Sequence, residues 1–460
     1  MSSSRLPTRG SVLARAVKCY LSCNVHQIAA NTNALGALKH SFQPIKRARV
    51  TGIDGARRAY ATSSGQRHDV QRYRKDVDER GRLGYYVLSK QQGALHMESA
   101  KANAIVKEFL AKQKTMDHRS NIQHLATKYR VSIEDLASLA IVTFKVPDIS
   151  DKKRRAEIPP SQNAPLGGCM LQGCAQAEEP LAIMQVLTAV YLAGSTDGAP
   201  YRTLASLFPQ AEVAKYRKIL ETLCTKAKTF PLGPEVLTLQ GLFLEREGRT
   251  DRAKELYTEA VQRCHFKFTP GSRHPLQLPL VTPWNALGYL LKTEKTPDAQ
   301  MQARECFKKG AVEGDDPLSC YELATLLDKA DPDWLLYTSK AAASGHRQAT
   351  VDLADFYHEA SSKDSPLLEN SLMRKALNWL LEWKRGDPAI LAREWLQAAS
   401  SMDHKPSALQ LADYHESIGD KEGTKDYLRK VAELPSSPGQ TEEWPQLVQA
   451  AKRRLAGITT

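Results

Sequence analysis

The sequence lacks the features that mark a membrane-spanning chain or a β-sheet protein. No run approaches the roughly 18 consecutive apolar residues that a transmembrane helix needs, and alternating Val, Ile and Thr segments bounded by turns are missing. Aromatic residues make up only 7% of the 460 residues, but the apolar share of 42% is ordinary, so a sizeable core can form. We therefore expect a soluble, all-α protein.

Motifs for catalysis and metal binding are missing as well. There is no P-loop, no GxGxxG after a strand, no GxSxG and no HExxH, and the eight cysteines form no CxxC pair. Cys169 and Cys174 lie in a Gly-rich segment that we interpret as a loop, which is a weak metal signal. His358 and His415, at the ends of equivalent predicted helices, are interpreted as solvated rather than ligating. We therefore predict no catalytic residues, no cofactor and no metal ligands, and we expect a reducing compartment.

Acidic residues are nearly missing from the first 62 residues, which hold ten Lys or Arg against the single acid Asp54. This segment carries +9 of the formal charge of +13 and leaves +4 for the rest, which gives little reason to expect nucleic-acid binding there. A segment rich in Arg, Ser and Ala and poor in acids is typical of a mitochondrial transit peptide. Residues 58–63 (Arg-Ala-Tyr-Ala-Thr-Ser) resemble the matrix-processing site of fungal precursors, with cleavage after Tyr60. We predict a cleaved leader over 1–62 and a mitochondrial, matrix location; the alternative is a disordered basic tail.

Residues 82–147 are predicted to form a small helical N-terminal region. Residues 66–82 are charged and interpreted as a flexible start, and helices are predicted over 90–116, 118–129 and 132–144. The following segment, 148–179, contains a basic quartet and several Pro and Gly residues, which indicate a linker. We interpret the quartet as a solvated loop rather than a nuclear signal or a phosphate-contacting patch.

Residues 121–139 need a separate test because they resemble a helix-turn-helix. Arg130 stands where that motif has its turn glycine, and the second helix would begin with Glu134 and Asp135, which would repel phosphates. Residues 125–132 also look like the helical half of a LysM module, but the strands of that module are missing. We interpret the segment as a plain helix pair.

From residue 180 onward the sequence predicts one helix after another, and the most regular stretch is 303–434. Four helices there carry a bulky pair followed three and four residues later by small or short side chains: Cys306-Phe307 with Gly310-Ala311, Tyr337-Thr338 with Ala341-Ala342, Glu394-Trp395 with Ala398-Ala399, and Tyr427-Leu428 with Val431-Ala432. In the first two copies a glycine follows, Gly314 and Gly345. A second helix then carries Leu323-Ala324, Leu353-Ala354 or Leu411-Ala412. The copies recur after 31, 57 and 33 residues, and the long interval predicts one extra, divergent helix over 365–384.

Two further patterns carry a family resemblance. Six residues fall at the spacing of a tetratricopeptide unit: Leu237, Gly241, Leu244, Ala253, Tyr257 and Ala260. In that pattern the glycine lets two helices approach closely and the tyrosine fills the space between neighbouring pairs. The series Ala341-Ala342-x-x-Gly345, Leu353-Ala354-x-Phe356-Tyr357 and Leu411-Ala412-Asp413-Tyr414 resembles Sel1-like repeats. Over 180–434 the resemblance implies a right-handed superhelix that binds other proteins and carries no chemistry of its own.

The sequence therefore predicts an all-α, right-handed α/α superhelical solenoid of tetratricopeptide/Sel1-like helix pairs over 180–460, with 444–455 as its closing cap. Most of its large aromatic residues are expected in the core between repeats: Trp284, Phe307, Trp334, Tyr337, Trp379, Trp383, Trp395 and Tyr427. We expect a non-enzymatic mitochondrial adaptor whose groove holds a protein partner, with assembly or maintenance of a respiratory or ribosomal complex as a biological guess, and no small-molecule substrate. The alternative is an RNA- or mitoribosome-binding protein, which would need a continuous basic stripe; an enzyme, which would need a deep polar pocket, ranks third.

Overall fold

The part of the chain that the structure describes is all-helical. The computed structural model describes residues 64–149, 151–194, 199–265, 276, 278, 280–362, 364–384, 387–434 and 442–459. These residues form 21 α-helices and one short 3-10 helix and contain no strand. None of the described helices has both the length and the apolar character needed to cross a bilayer. The predicted leader, 1–62, lies outside the described residues.

Nine helices precede the regular repeats. They are α1 (Ser64–Gln91), α2 (Ser99–Lys112), α3 (His118–Tyr129), α4 (Ile133–Phe144), α5 (Lys152–Glu157), α6 (Asn163–Gln176), α7 (Pro180–Ala193), α8 (Ala199–Ala205) and α9 (Gln210–Thr225).

Twelve helices follow. They are α10 (Gly233–Arg246), α11 (Thr250–Arg263), α12 (Pro283–Glu294), α13 (Pro297–Val312), α14 (Pro317–Ala324), α15 (Pro332–Ala343), α16 (Arg347–Ala360), α17 (Ser371–Lys384), α18 (Pro388–Ser401), α19 (Lys405–Ser417), α20 (Lys421–Ala432) and α21 (Pro445–Thr459); the 3-10 helix, Pro366–Leu368, precedes α17.

The charged segment interpreted as a flexible start is part of the long helix α1, so that interpretation is wrong. Arg74 is buried and its Nη2 donates to Asp78 Oδ1 at 2.6 Å and to Asp148 Oδ1 at 2.7 Å. Paired charges of this kind can be buried because each satisfies the other. The chain then breaks at Gly93, whose φ is +75°, so the helix predicted over 90–116 begins only at α2.

The prediction of a linker over 148–179 is also wrong, because α6 lies inside this segment and packs against α3 and α4. Nine of the fourteen residues of α6 are buried, Cys174 included. Gly173 is the reason for the close packing, since a Cβ there would lie 2.5 Å from the carbonyl oxygen of His118. Arg82 Nη1 of α1 also donates to Asn163 Oδ1 at 2.7 Å. The glycines that indicated a loop instead permit close contact between helices.

Helices α3 and α4 form the plain helix pair that we predicted over 121–139. Ser132 caps α4, and its hydroxyl and the side chain of Asp135 complete a capping box. Residues 136–143 of α4 are all buried. A helix enclosed in this way cannot enter a DNA groove, which excludes the helix-turn-helix interpretation for α4.

The second half of the chain is an α solenoid built from helix pairs in which neighbours along the chain pack against each other. We call the first helix of each pair A (α10, α12, α14, α16, α19) and the second B (α11, α13, α15, α18, α20). Helix α16 packs directly on α18, so α17 is an insertion beside the stack. This confirms the prediction of an extra helix over 365–384. The Leu-Ala pairs of helices A are buried, as expected for a core position.

A glycine and an aromatic ring meet inside two of the pairs. A Cβ on Gly241 would lie 2.4 Å from Tyr257 Cε1, and a Cβ on Gly288 would lie 2.7 Å from Phe307 Cε1. Both rings are fully buried. The predicted close approach of α10 and α11 at Gly241 is therefore confirmed, but the Tyr257 ring packs on Gly241 inside the pair, where a position between neighbouring pairs was predicted. Gly288 with Phe307 repeats the contact.

We expect Gly288→Ala to lower the free energy of unfolding by about 1–3 kcal/mol, because the new methyl group overlaps the Phe307 ring in a filled core. Gly457→Ala in α21 is the matched control, since a Cβ there has no atom within 4 Å. That change should raise stability by about 0.5–1 kcal/mol through helix propensity. Urea unfolding of both variants measures the difference, and equal effects of the two would contradict the packing account.

Two of the turns between pairs share one conformation, which fixes the register of their repeats. Gly345 and Asp403 have φ of +86° and +60°, and the next residues, His346 and His404, donate their backbone N–H groups to Ala341 O and Ala399 O at 3.0 and 3.1 Å. Counted from these hydrogen bonds, Ala341 and Ala342 occupy the same positions in their repeat as Ala399 and Ser400 in theirs. The small pair predicted for the third copy, Ala398-Ala399, is therefore displaced by one residue and is wrong.

The first copy has a turn one residue longer. Asp315 has the positive φ, +48°, and the N–H of Asp316 reaches Gly310 O at 3.0 Å. Gly314 instead lies against the Trp284 ring, since a Cβ on Gly314 would lie 2.6 Å from Cζ2 of that ring. It is therefore not the equivalent of Gly345 that the sequence suggested.

Most of the aromatic residues assigned to the core are there. Trp284, Phe307 and Trp334 are buried, and Tyr337 and Trp395 pack against the same core. Tyr427 packs against a smaller C-terminal cluster. The side chains of Trp379 and Trp383 lie outside the described residues.

Helix α21 covers the C-terminal end of the stack, as predicted for a cap. Val448 and Ala451 face inward, while Lys452 and Arg453 are exposed. Arg454 instead forms ion pairs with Asp413 and Glu416 of α19 at 2.7 and 2.6 Å. The cap is therefore tied to the last A helix by charge as well as by apolar contact.

Candidate partner-binding surface

Helices α7, α10 and α12 are enclosed and leave little surface for a partner. Every residue is buried over 181–189 in α7, 236–244 in α10 and 283–291 in α12. The chain before α12 contributes to this cover, since Gln185 Nε2 donates to the carbonyl oxygen of Leu276 at 3.3 Å. The groove expected along the whole repeat domain is therefore not open along α10 and α12.

Helix α16 is different, because one of its faces carries polar side chains to the surface. Gln348 and Asp355 are exposed, and Asp352 and Glu359 are half-buried. Their spacing of four, three and four residues places them in one stripe along the helix. We call these four residues the α16 stripe.

Two carboxylates of the α16 stripe are held in surroundings that disfavour their charge. Burial raises the pKa of Asp352, although hydrogen bonds from Gln348 and Tyr321 act in the opposite direction. Burial likewise raises the pKa of Asp355. Neither carboxylate has an ion-pair partner within 4 Å among the described residues. A cationic group brought to this stripe would therefore gain the interaction that the carboxylates lack.

The lysines beside the stripe are already neutralised. Lys292 Nζ lies 2.6 Å from Glu322 Oε2, and Lys329 Nζ lies 2.6 Å from Glu359 Oε2. Each pair joins one A helix, or the turn after it, to the next A helix. Pairs at the surface contribute little to stability. Because they neutralise the two lysines, the surface of α14 and α16 carries mixed or negative charge rather than positive charge.

A buried polar network fixes the position of α12 against α14. Asp316 Oδ2 accepts hydrogen bonds from Thr282 Oγ1 at 2.7 Å, Trp284 Nε1 at 2.9 Å and Asn285 Nδ2 at 2.8 Å. Its Oδ1 accepts from the backbone N–H of Leu318 at 3.0 Å, at the N-terminus of α14. This network was not predicted from the sequence. The sequence indicates only that Asp316, before Pro317, is a helix N-cap.

His346 and His404 occupy the same N-cap position before α16 and α19. Each Nδ1 accepts a backbone N–H, from Ala349 at 3.2 Å and from Ser407 at 3.3 Å. Burial, followed by the nearby charge of Arg347, lowers the pKa of His346 to about 3 and that of His404 to about 4. Both rings are therefore neutral at physiological pH. Neither was singled out from the sequence.

The histidines that the sequence did single out do not come together. His358 is exposed in the last turn of α16. The ring of His415 forms a 2.8 Å hydrogen bond with Asp420 Oδ2 and stacks on Tyr427, so it supports a turn rather than lying free in solvent. Burial raises the pKa of the Cys169 thiol, which makes it a weak ligand and nucleophile. Among the described residues no group of three His, Cys, Asp or Glu side chains is arranged to hold a metal ion.

A shallow depression of about 540 Å³ lies on the exposed face of α11. It is lined by Asp251, Lys254, Glu255, Thr258, Glu259 and Gln262. All six residues come from a single helix, so the depression is open and does not converge on one point in the way a substrate pocket does.

Comparison with known proteins adds no family assignment. No protein-family model matches the chain, and no curated protein matches it. What the structure itself establishes is an all-α solenoid whose surface at α16 is acidic and whose core contains close glycine–aromatic contacts.

Proposed function

We propose that this protein is a non-enzymatic adaptor of the tetratricopeptide/Sel1-like type, located in mitochondria, which binds a basic segment of another protein at the α16 stripe. The stripe carries the proposal, because it presents the carboxylates of Asp352 and Asp355 at the surface of the stack without an ion-pair partner among the described residues, and solenoids bind partners through the extended surface of their stacked units. The leader-like composition of residues 1–62 supports the location.

The glycine–aromatic contacts support the assignment to this repeat type. Gly241 with Tyr257, and Gly288 with Phe307, have the small and large side chains in the order that the tetratricopeptide pattern has. The turn at Gly345 agrees with the Sel1-like pattern, since a left-handed residue there follows the Ala-Ala pair.

Charge separates this proposal from the RNA-binding alternative. A protein that binds the phosphate backbone needs lysines and arginines that converge and are free to contact phosphate. Lys292 and Lys329 are instead paired with Glu322 and Glu359, and the stripe beside them is acidic. A basic or mixed protein segment therefore fits this surface better than RNA.

The test is a purification of tagged protein from mitochondria, comparing the wild type with Asp352→Arg/Asp355→Arg. We expect the variant to lose at least about 90% of the partner recovered with the wild type, because reversal of two charges turns attraction into repulsion. Glu394→Arg on α18, an exposed acid on a B helix, is the matched control and should recover the partner normally.

Circular dichroism melting establishes that the variants are folded. Equal recovery of the same partner by the wild type and by the double variant would remove the α16 stripe from the proposal. A tagged protein found only outside mitochondria would contradict the location.

A further inference from the structure

The outer face of α1 carries an apolar stripe that nothing in the described chain covers. Thirteen large apolar side chains are exposed among the described residues, and four of them lie on this one helix: Val70 at 40%, Tyr73 at 51%, Val87 at 45% and Leu88 at 36%. Their spacing, with half-buried Val77 between them, places them along one side of the helix. We call these five residues the α1 stripe.

The other side of α1 holds the helix firmly against the protein. Arg74, Asp78, Arg82, Tyr86 and Ser89 are buried there. Tyr86 shares a 2.7 Å hydrogen bond with Thr143 of α4. The stripe therefore faces outward. It forms an apolar surface on the first described helix, whereas the last helix, α21, exposes the charged side chains of Lys452 and Arg453. Terminal units of a solenoid normally need a polar outer face.

The α1 stripe is complementary to itself when two copies are placed antiparallel. With the two-fold axis between residues 78 and 79, Val70 lies opposite Val87 of the second copy and Tyr73 lies opposite Gly84. A Cβ on Gly84 would have no atom within 4 Å, so this position is open to receive an aromatic ring. Large side chains facing small ones in this manner are what close helix packing requires.

The charges beside the stripe favour the same arrangement. Asp76 and Arg80 are both exposed and lie on the same flank of the stripe, on either side of the axis. Antiparallel pairing brings Asp76 of each copy to Arg80 of the other, which gives two opposite-charge contacts. Parallel pairing about a two-fold axis along the helices would place these flanks on opposite sides of the contact, so the two opposite-charge contacts would not form.

We propose that α1 is the interface of an antiparallel homodimer that joins two solenoids end to end. The stripe runs from Val70 to Leu88, 19 residues, which is about 27 Å of helix about 10 Å wide. This is smaller than the roughly 800 Å² per partner of a standard stable interface. The dimer therefore dissociates at micromolar concentrations, and its two-fold symmetry places the two α16 stripes in one particle.

Sedimentation equilibrium of the full chain over about 1–100 μM tests this. The average mass should rise from the monomer value of 51.1 kDa towards twice that value. Tyr73→Glu should weaken the association at least about tenfold, because it places a charge in the apolar contact. Met301→Glu, which changes an exposed apolar side chain on α13, is the matched control and should leave the dimer unchanged.

Charge reversal tests the antiparallel register. Asp76→Arg and Arg80→Asp should each weaken the dimer about tenfold, and the double variant Asp76→Arg/Arg80→Asp should restore it to within about threefold of the wild type. All of these residues are exposed, so the variants are expected to fold, and circular dichroism checks this. A double variant no better than the single ones would overturn the proposed register.

Two other occupants of the α1 stripe would give different experimental results, and either result would overturn the proposal of a homodimer. A full chain that stays monomeric while crosslinks join α1 to residues 1–63 would assign the stripe to the chain's own N-terminal segment. A monomer that binds vesicles of phosphatidylcholine and cardiolipin, with binding lost in Tyr73→Glu, would assign it to a lipid surface.

Discussion

Replacing Asp316 with alanine is expected to lower the free energy of unfolding by about 4 kcal/mol. The carboxylate is buried and accepts four hydrogen bonds, and its loss removes the shared acceptor of Thr282, Trp284 and Asn285. Each buried donor left unpaired costs about 1–3 kcal/mol. Urea unfolding followed by circular dichroism measures the change.

Asp331→Ala is the control for this prediction. Asp331 is also an N-cap aspartate, but it is only half-buried, and its side chain accepts a backbone N–H from Asp333 at 2.9 Å. Its removal should cost about 1 kcal/mol, the usual value for a lost cap. If Asp316→Ala were no more destabilising than Asp331→Ala, the network between α12 and α14 would not have the stabilising role that its geometry indicates.

Acid should destabilise the solenoid through His346 and His404. The pKa values of these side chains are lowered from 6.5 to about 3 and about 4, so the folded state keeps them neutral while the unfolded chain binds protons below pH 6.5. Stability from these residues is therefore fully present above pH 6.5 and is lost as the pH falls from 6.5 towards 4 and 3. At pH 5 the loss amounts to about 3 kcal/mol for the pair, allowing for the partial exposure of His404.

The measurement is the difference in unfolding free energy between the wild type and His346→Asn/His404→Asn at pH 7.5 and at pH 5. Asparagine keeps the N-cap acceptor but does not titrate, so the variant should gain about 3 kcal/mol relative to the wild type at the lower pH. This comparison removes the opposite contribution of Glu245, whose pKa burial raises to about 7. His358→Asn, at an exposed position, is the control. A difference that does not change with pH would contradict the prediction.

The sequence was informative where a side chain acts on its immediate helical neighbours. The small side chain of Gly241 predicted the close approach of α10 and α11, because that approach depends on residue spacing within one helix pair. The bounds of α3 agree with the helix predicted over 118–129, and Asp117 caps its first turn. The extra helix over 365–384 followed from the length of one interval between copies.

The sequence misled where tertiary contacts decide the outcome. The glycines of α6 look like loop residues, and only the approach of α3 to Gly173 shows why a helix there needs them. The charges of α1 look solvated until Asp148, 74 residues beyond Arg74, comes to pair with it. The enclosure of α10 and α12 likewise depends on segments distant in sequence, since Gln185 of α7 donates to Leu276.

The most direct test of the adaptor account is whether partners stay bound when RNA is removed. Tagged protein purified from mitochondria, with and without nuclease treatment, should retain the same protein partners in both samples, and their recovery should fall in Asp352→Arg/Asp355→Arg. Partners that disappear after nuclease treatment, and that the charge reversal leaves unaffected, would contradict the account and favour an RNA-binding protein.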